Sequence, residues 1–531
     1  MADYLPAVES ALAELKRLDV VPRIWAGDHT VWKPEPAEIS DRLGWLTVTK
    51  AMREQAPQLQ SFARDVADAG FQQVVLLGMG GSSLGPEVLR QSFGSAAGYP
   101  QLVVLDSTFP AWIQAVTDSI DPARTLFLVS SKSGSTIEPN TLYAHFRGLV
   151  EAALGIEQAG QHFIAVTDPG TVLAKLAVET GFRRVFLNPP DIGGRYSVLS
   201  LFGLVPAALI GLDLDLLLDR ADAMLERCRA TEDNPGAWLG ALMATSVQQE
   251  RDKLTLVTSP SIASFGLWVE QLLAESTGKE GTGVVPVAGE PLLGPQAYGA
   301  DRLFVYLRLA GEDNAETDAR LEKLQTAGHL VVRLDLNDRY DLGAEFFRWQ
   351  FATAVASSVL GIHPFDQPNV QSAKDQTDSV LAQYQASGAL PVAEGSGDAQ
   401  DLLQQAKPGD YLVVMLYGVE SRELAQALQS LRRKVMERRR IATTLGYGPR
   451  FLHSTGQMHK GGANSGLFLQ FTTPHPNDIE IPGHPMTFGV LNDAQSLGDW
   501  QALQASGRRA VRVQLGSDPV ADLTKMIDTL G

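Results

Sequence analysis

The chain has 531 residues, 44% of them hydrophobic and 20% charged, which excludes a mostly disordered protein. At roughly 150 residues per domain, that length suggests three or four domains rather than one core. Its 44 Lys and Arg against 61 Asp and Glu give a formal charge of −17, which excludes a general binder of nucleic-acid backbones but not of a small anion held by a few pocket cations.

The first residues space Leu and Ala as a short amphipathic helix, with Asp3, Glu9 and Glu14 where a signal peptide needs an apolar run. Residues 22–45, rich in Pro, Trp and charge, read as an extended arm. Short apolar runs at 74–80, 102–106, 125–131, 163–168 and 184–187 then alternate with helical stretches at 83–93, 110–117 and 137–154. Such alternation predicts a parallel sheet covered on both faces. The most apolar window, 198–212, contains Pro206 and runs into Asp213; it is too short for the roughly 20 residues of a membrane span. Cys228 is the one cysteine, which excludes an intramolecular disulfide and a multi-cysteine metal centre. It lies in a charged helical pattern and reads as structural. A soluble cytoplasmic protein is expected.

A second series has strands at 254–259, 303–309 and 330–336, with helices near 262–275, 316–327 and 343–360. A small-residue stretch at 386–400 reads as a linker, and 411–418, 467–471 and 511–515 suggest a third α/β segment. The expected division is 1–45 as helix and arm, 46–220 and 221–390 as two α/β domains, and 400–531 as a C-terminal α/β region.

Ligands of parallel α/β sheets bind beyond the carboxyl ends of the strands, so the turns there carry the chemistry. GMGGSSLGPE at 78–87 resembles a dinucleotide turn, with Asp106 ending the next strand, but Ser83 occupies the third glycine position. What remains is a glycine turn with hydroxyls at a helix N-terminus, suited to an anion or simply to a serine cap. SSKSGSTIEP at 130–139 offers five hydroxyls and Lys132 after another strand of the same sheet. GGRYS at 193–197 fixes Arg195 on a glycine turn, where a guanidinium can stabilise an oxyanion. AESTGKEG at 274–281 places Glu275 at a helix end, a general base if burial raises its pKa and otherwise a solvated carboxylate. FDQPNVQSAK at 365–374 presents Gln367 and Lys374, and STGQMHKGG at 454–462 presents Gln457, His459 and Lys460. Nine scattered histidines form no H-x-H or H-E-x-x-H, and no Walker A sequence occurs, so neither metal nor cofactor is expected.

Taken in order, GGSSLGP, SSKSGSTIE, GGRYS, ESTGKEG and FDQPNVQSAK resemble the motifs of the glucose-6-phosphate isomerase family across residues 78–374. RIWAGDHTVW and STGQMHKGG look most like the isomerase half of proteins that fuse transaldolase to phosphoglucose isomerase, with no room for the transaldolase barrel. The resemblance implies two doubly wound parallel-sheet sugar isomerase (SIS) domains plus the C-terminal α/β region. It implies metal-independent interconversion of glucose 6-phosphate and fructose 6-phosphate through a cis-enediolate. By that carry-over Gly81, Ser82, Ser131, Lys132, Ser133 and Thr136 hold the phosphate, and Gly194 and Arg195 face the enediolate. Glu275 moves the proton between C2 and C1, while Lys374, with Gln367 nearby, assists ring opening.

Two departures from the family pattern stand out. Ser133 replaces the family's usual threonine, and the ring-opening histidine's asparagine–glycine–glutamine–histidine motif is missing between Glu275 and Phe365. Only His329 and His363 lie in 281–364, and the nearest phrase is TGQMH at 455–459, which assigns the role to His459, with His453 and His363 as alternatives. In the family this histidine crosses a dimer interface, so a homodimer is expected, with a sugar phosphate as ligand and no nucleic acid or membrane partner. Lys132, Arg195, Lys374 and Lys460 would supply the positive charge. Activity on mannose 6-phosphate and a non-catalytic sugar-phosphate sensor are the competing readings; Glu275 and Lys374 argue against the sensor, which needs no base.

Overall fold

Three fully parallel sheets organise the computed structural model, which describes residues 5–392 and 397–530. The first contains β1 (Gln73–Gly78), β2 (Gln101–Leu105), β3 (Thr125–Ser130), β4 (Phe163–Thr167) and β5 (Arg184–Leu187), in the order β2-β1-β3-β4-β5. The second contains β6 (Lys253–Thr258), β7 (Val285–Val287), β8 (Arg302–Leu309) and β9 (Leu330–Leu336), in the order β7-β6-β8-β9. The third contains β10 (Tyr411–Tyr417), β11 (Ala442–Tyr447), β12 (Gly466–Thr472) and β13 (Arg509–Gln514), in the order β11-β10-β12-β13. In each sheet the founding strand lies between its second and third strands. That arrangement opens a crevice beyond the carboxyl ends of the central pair, the place where such folds bind ligands.

The apolar runs form strands because they are buried on both faces; every residue of β3, β10 and β12 is buried. Two strands carry too little apolar signal to be read from sequence. β7 is three residues long with Pro286 at its centre, tolerable only because it is an edge strand. β11 is ATTLGY, where threonines and a glycine interrupt the hydrophobic run.

The apolar window at 198–212 becomes helix Leu201–Leu209, all nine residues of which are buried. Residues 22–45 are not an extended arm. Ile24, Trp32, Ile39 and Trp45 are buried in the largest core, and the Trp32 indole donates to the Ala354 carbonyl at 2.7 Å. Four large apolar anchors outweigh the prolines and charges between them. Cys228 is buried, and burial pushes its thiol up to about 12, which suits a packing role. Asp3 and part of the 386–400 linker (393–396) lie outside the described residues. Among the described residues no helix is long and apolar enough to cross a membrane.

The third sheet is tied to the others by specific contacts. Arg450, just after β11, is bidentate to Asp106 at the end of β2, with both distances 2.8 Å. Asp106 is thereby committed to a guanidinium rather than to a ribose. Helix Pro368–Ser387 packs along helix Phe488–Ala505 and so joins the second series to the third sheet.

Candidate active site

A cleft of about 520 Å³ opens where the carboxyl ends of β1 and β3 meet the helix carrying Glu275. Ser82, Ser131, Lys132, Ser133 and Thr136 line one side. The hydroxyls form a connected patch: Ser131 Oγ donates to Thr136 Oγ1 at 3.3 Å and accepts from the Gly134 amide at 3.1 Å. Thr136 caps helix Ile137–Leu154 without bonding its first amides through the side chain, so that N-terminus can face an anion. Lys132 pairs closely with Asp168 and donates to the Pro190 carbonyl at 2.9 Å.

The glycine turns are needed for close approach. A Cβ on Gly81 would lie 2.0 Å from the Gly194 carbonyl oxygen, so the GGS and GGR turns touch backbone to backbone. Gly80, at φ +55°, would place a Cβ 2.7 Å from the His453 carbonyl oxygen. Three distant segments therefore converge within one turn of chain.

Arg195 is buried and commits its guanidinium to the protein. Nε donates to Ser276 Oγ at 2.9 Å, and Nη1 donates to Gln367 Oε1 at 2.7 Å and to Glu275 Oε2 at 3.3 Å. Nη2 donates to the carbonyls of Pro364 and Asp366 at 2.8 and 2.9 Å. The longest of these bonds is the one to Glu275. That carboxylate also accepts from Gln271 Nε2 at 3.3 Å, so its two recorded donors are both distant. Burial pushes the Glu275 carboxyl above its usual range, against the pull of Arg195, His453 and Lys279. A carboxylate raised this way and weakly bonded is a competent proton acceptor.

Gln367 and Lys374 line the opposite wall, at the start and in the second turn of helix Pro368–Ser387. Lys279 braces the segment before them, donating to the His363 carbonyl at 2.6 Å and to Asp366 Oδ1 at 2.5 Å. Burial, with Arg195 nearby, pulls its ammonium down to about 7.

The structure does not bring His459 to this cleft. Its ring is buried 5.3 Å from Phe468 and 6.1 Å from Phe451, and burial holds it well below the usual imidazole value. Lys460 is equally remote, buried in an ion pair with Asp499 at 2.5 Å. Gln457 explains the placement. Its Nε2 donates to the Gly278 carbonyl at 3.0 Å and to Asn369 Oδ1 at 2.8 Å, fastening the phrase to the two neighbouring motifs as a scaffold. His363 also serves backbone, with Nδ1 accepting from the Phe365 amide at 3.1 Å and Nε2 meeting the Ala37 carbonyl at 3.1 Å.

His453 does line the cleft, in the turn Arg450–His453 after β11. Its Nε2 lies 2.8 Å from Glu138 Oε1, and its carbonyl accepts from Gln271 Nε2 at 2.8 Å. Glu138 belongs to the SSKSGSTIEP turn yet was given no role by sequence. Gln271, one helical turn before Glu275, carried no signal at all. Arg42 also reaches the cleft from the N-terminal segment, beside Asp168 and Pro190. Among the described residues no group of three or more His, Cys, Asp or Glu side chains is arranged to hold a metal ion.

Residues 46–288 match the phosphoglucose isomerase family. The chain is 29% identical over 420 residues to a glucose-6-phosphate isomerase of Rubrobacter xylanophilus, covering 70% of this chain and 95% of that one. It is 26% identical to the glucose-6-phosphate isomerase of Staphylococcus saprophyticus, covering 64% and 87% respectively. Among solved structures, a hypothetical protein from Thermus thermophilus superposes with a TM-score of 0.63 at 27% identity, covering 72% of this chain and 98% of its own. A glucose-6-phosphate isomerase from Chlamydia trachomatis shares the fold at a TM-score of 0.61 and 17% identity, covering 71% and 86%.

Proposed function

We propose that this chain, which carries the phosphoglucose isomerase pattern over 46–288, is an aldose–ketose isomerase that interconverts glucose 6-phosphate and fructose 6-phosphate. The observation that carries the reading is Glu275, buried and weakly bonded, 3.3 Å from the fixed Arg195 guanidinium and in one cleft with the Ser131–Thr136 hydroxyls.

In this reading the phosphate sits on Ser82, Ser131, Ser133 and Thr136, with Lys132 adding charge beside them. The sugar then extends from that anchor towards Glu275. Ring opening moves a proton from the O1 hydroxyl to the ring oxygen, and His453 and Lys374 are the cleft groups placed to exchange it. Glu275 next removes the C2 proton; the C–H electrons form the C1–C2 double bond and the carbonyl electrons move to O1. The resulting cis-enediolate is stabilised by the Arg195 charge, which is already desolvated and fixed. The O2 hydroxyl proton then passes to O1, and returning the C2 proton to C1, with O2 becoming the carbonyl, gives the ketose. Each step uses only protons held by the sugar and these side chains.

His453 takes the ring-opening role here in place of His459. It reaches the cleft from its own chain, so the reason for expecting a homodimer, a histidine given in trans, falls away. The phrases RIWAGDHTVW and STGQMHKGG support placing the chain nearest the isomerase half of transaldolase–isomerase fusions. The cytoplasm is the compartment this reading assigns.

A coupled assay with fructose 6-phosphate on wild type and Glu275→Gln tests the reading. The variant is expected to bind the sugar phosphate within several-fold of wild type while losing about 10²- to 10⁴-fold in kcat. Equal turnover would remove Glu275 as the base, and no turnover in wild type would remove the isomerase.

A further inference from the structure

Behind the wall formed by Gln271, Glu275 and His453 lies a second cavity of about 570 Å³. Edge strands β2 and β11 and the turn after edge strand β7 meet around it, so all three sheets contribute. Helix Phe265–Thr277 divides the two spaces: Gln271 and Glu275 line the cleft, whereas Leu267 and Glu270 line the cavity.

The charges around this cavity are unevenly matched. Arg90 is bidentate to Glu87 at 2.6 and 2.7 Å, and Arg450 is bidentate to Asp106 at 2.8 Å. Arg432 donates to the Gly289 and Ala288 carbonyls at 2.7 and 3.1 Å and to Thr443 Oγ1 at 3.1 Å. Each guanidinium therefore has partners within the chain. The acids are less well served. Glu270 is 9% exposed, and no ion pair holds it among the described residues; Glu420 has only Arg450 Nη1, 3.8 Å away.

Three buried atoms of residues lining this cavity, Thr444 Oγ1, Tyr447 OH and His459 Nδ1, have no hydrogen-bond partner among the described residues. Unpartnered buried polar atoms are uncommon, and several around one polar space indicate a place for a ligand. Burial pushes the Glu270 carboxyl up to about 8 despite the charge of Arg432 and the Ala288 amide. Glu420 is raised by burial too, with Asp106 and Glu87 adding to the shift against Arg450. Among the described residues Glu270 thus has no cation bonded to it, although the charge of Arg432 acts on it.

We propose that this junction cavity is a second binding site, for a small organic cation with a primary ammonium group, whose carboxylate partner is Glu270 and whose further acceptors are Thr444, Tyr447 and His459 Nδ1. The proton balance is explicit. At pH 7 Glu270 is mostly protonated; when the ammonium enters, the carboxyl O–H proton leaves to solvent and the ammonium keeps its own three. Binding therefore releases close to one proton.

Isothermal titration of the full chain with n-butylamine at pH 7, in two buffers of different ionisation enthalpy, reads both affinity and proton release. 1-Butanol and butyrate serve as the neutral and anionic counterparts. The amine is expected to bind at least about tenfold more tightly than either, with ~1 proton released. Glu270→Gln should weaken it about tenfold or more and abolish the release. Thr444→Val, which keeps the side-chain shape, should weaken it several-fold. Glu275→Gln should leave amine binding as it is, because that residue faces the cleft. No amine binding, equal binding of butanol or butyrate, an unchanged affinity in a folded Glu270→Gln, or loss of binding in Glu275→Gln would each overturn the proposal.

Discussion

His453 Nε2 meets Glu138 Oε1 at 2.8 Å, across the junction between the third sheet and the first. The same carboxylate oxygen accepts from Gln495 Nε2 at 2.7 Å, so it is held from two sides by the C-terminal region. Burial alone would raise the Glu138 carboxyl; the charge and hydrogen bond of His453, with the charge of Lys374, bring it below its usual value instead. An ionised Glu138 accepts a proton-bearing nitrogen, so it holds Nε2 as an N–H donor and fixes the orientation of the ring. Carboxylate–imidazole pairs act in this way in many catalytic sites, by holding tautomer and orientation.

This pairing makes a testable statement about coupling. His453→Ala should lower kcat on the cyclic sugar phosphate by about 10²-fold, and Glu138→Gln by a smaller factor. If Glu138 acts only by positioning His453, the double variant should be no slower than His453→Ala alone. A steady-state kinetic cycle decides between these outcomes. Additive losses would mean that Glu138 contributes separately from the histidine.

The turns were legible because each follows the carboxyl end of a strand or helix, with the residue types its chemistry requires. The fold brings Gly81, Ser82, Ser131, Lys132, Ser133, Thr136, Gly194, Arg195, Glu275, Gln367 and Lys374 to one cleft. The histidine was not legible for a physical reason. TGQMH has the local pattern, but its Gln457 amide is clamped between Gly278 and Asn369, and that turns His459 inward. His453 lies six residues earlier, in no recognisable phrase, and is aimed by β11, a strand whose threonines and glycine hide it from pattern reading. Glu138 stands inside the SSKSGSTIEP phrase and Gln271 in none, and each is tied to the site by a bond to that residue, one to its ring and one to its carbonyl.

The proposed role of Glu275 predicts the acid side of the rate profile. If it is the base it acts only when ionised, so kcat should fall as the pH drops through its folded-state pKa, which lies above 4.5. The sign for stability is opposite to that of an ordinary salt-bridged carboxylate. A carboxyl raised on folding contributes stability that is fully present below its unfolded pKa and is lost as pH rises through its folded pKa. Wild type should therefore lose stability relative to Glu275→Gln as the pH is raised from about 4.5. Paired denaturant titrations over that range, alongside a pH–kcat profile, check both signs; a flat stability difference would mean that burial leaves the carboxyl unshifted.

Gly81 offers a test of the contact between the two glycine turns. An alanine Cβ there would lie 2.0 Å from the Gly194 oxygen and 2.2 Å from its carbon, both backbone atoms, so one turn must move. The turns it would separate carry Ser82 and Arg195, which the proposed reading assigns to the phosphate and the enediolate. Gly81→Ala should therefore raise KM about tenfold or more, lower kcat as well, and cost about 1–3 kcal/mol in stability. Gly70→Ala is the comparison: at φ +86° its Cβ would meet nothing within 4 Å, so only backbone strain applies. That variant should lose about 1 kcal/mol with kinetics unchanged. If Gly81→Ala behaved like Gly70→Ala, the close approach of the two turns would not be what seats the substrate.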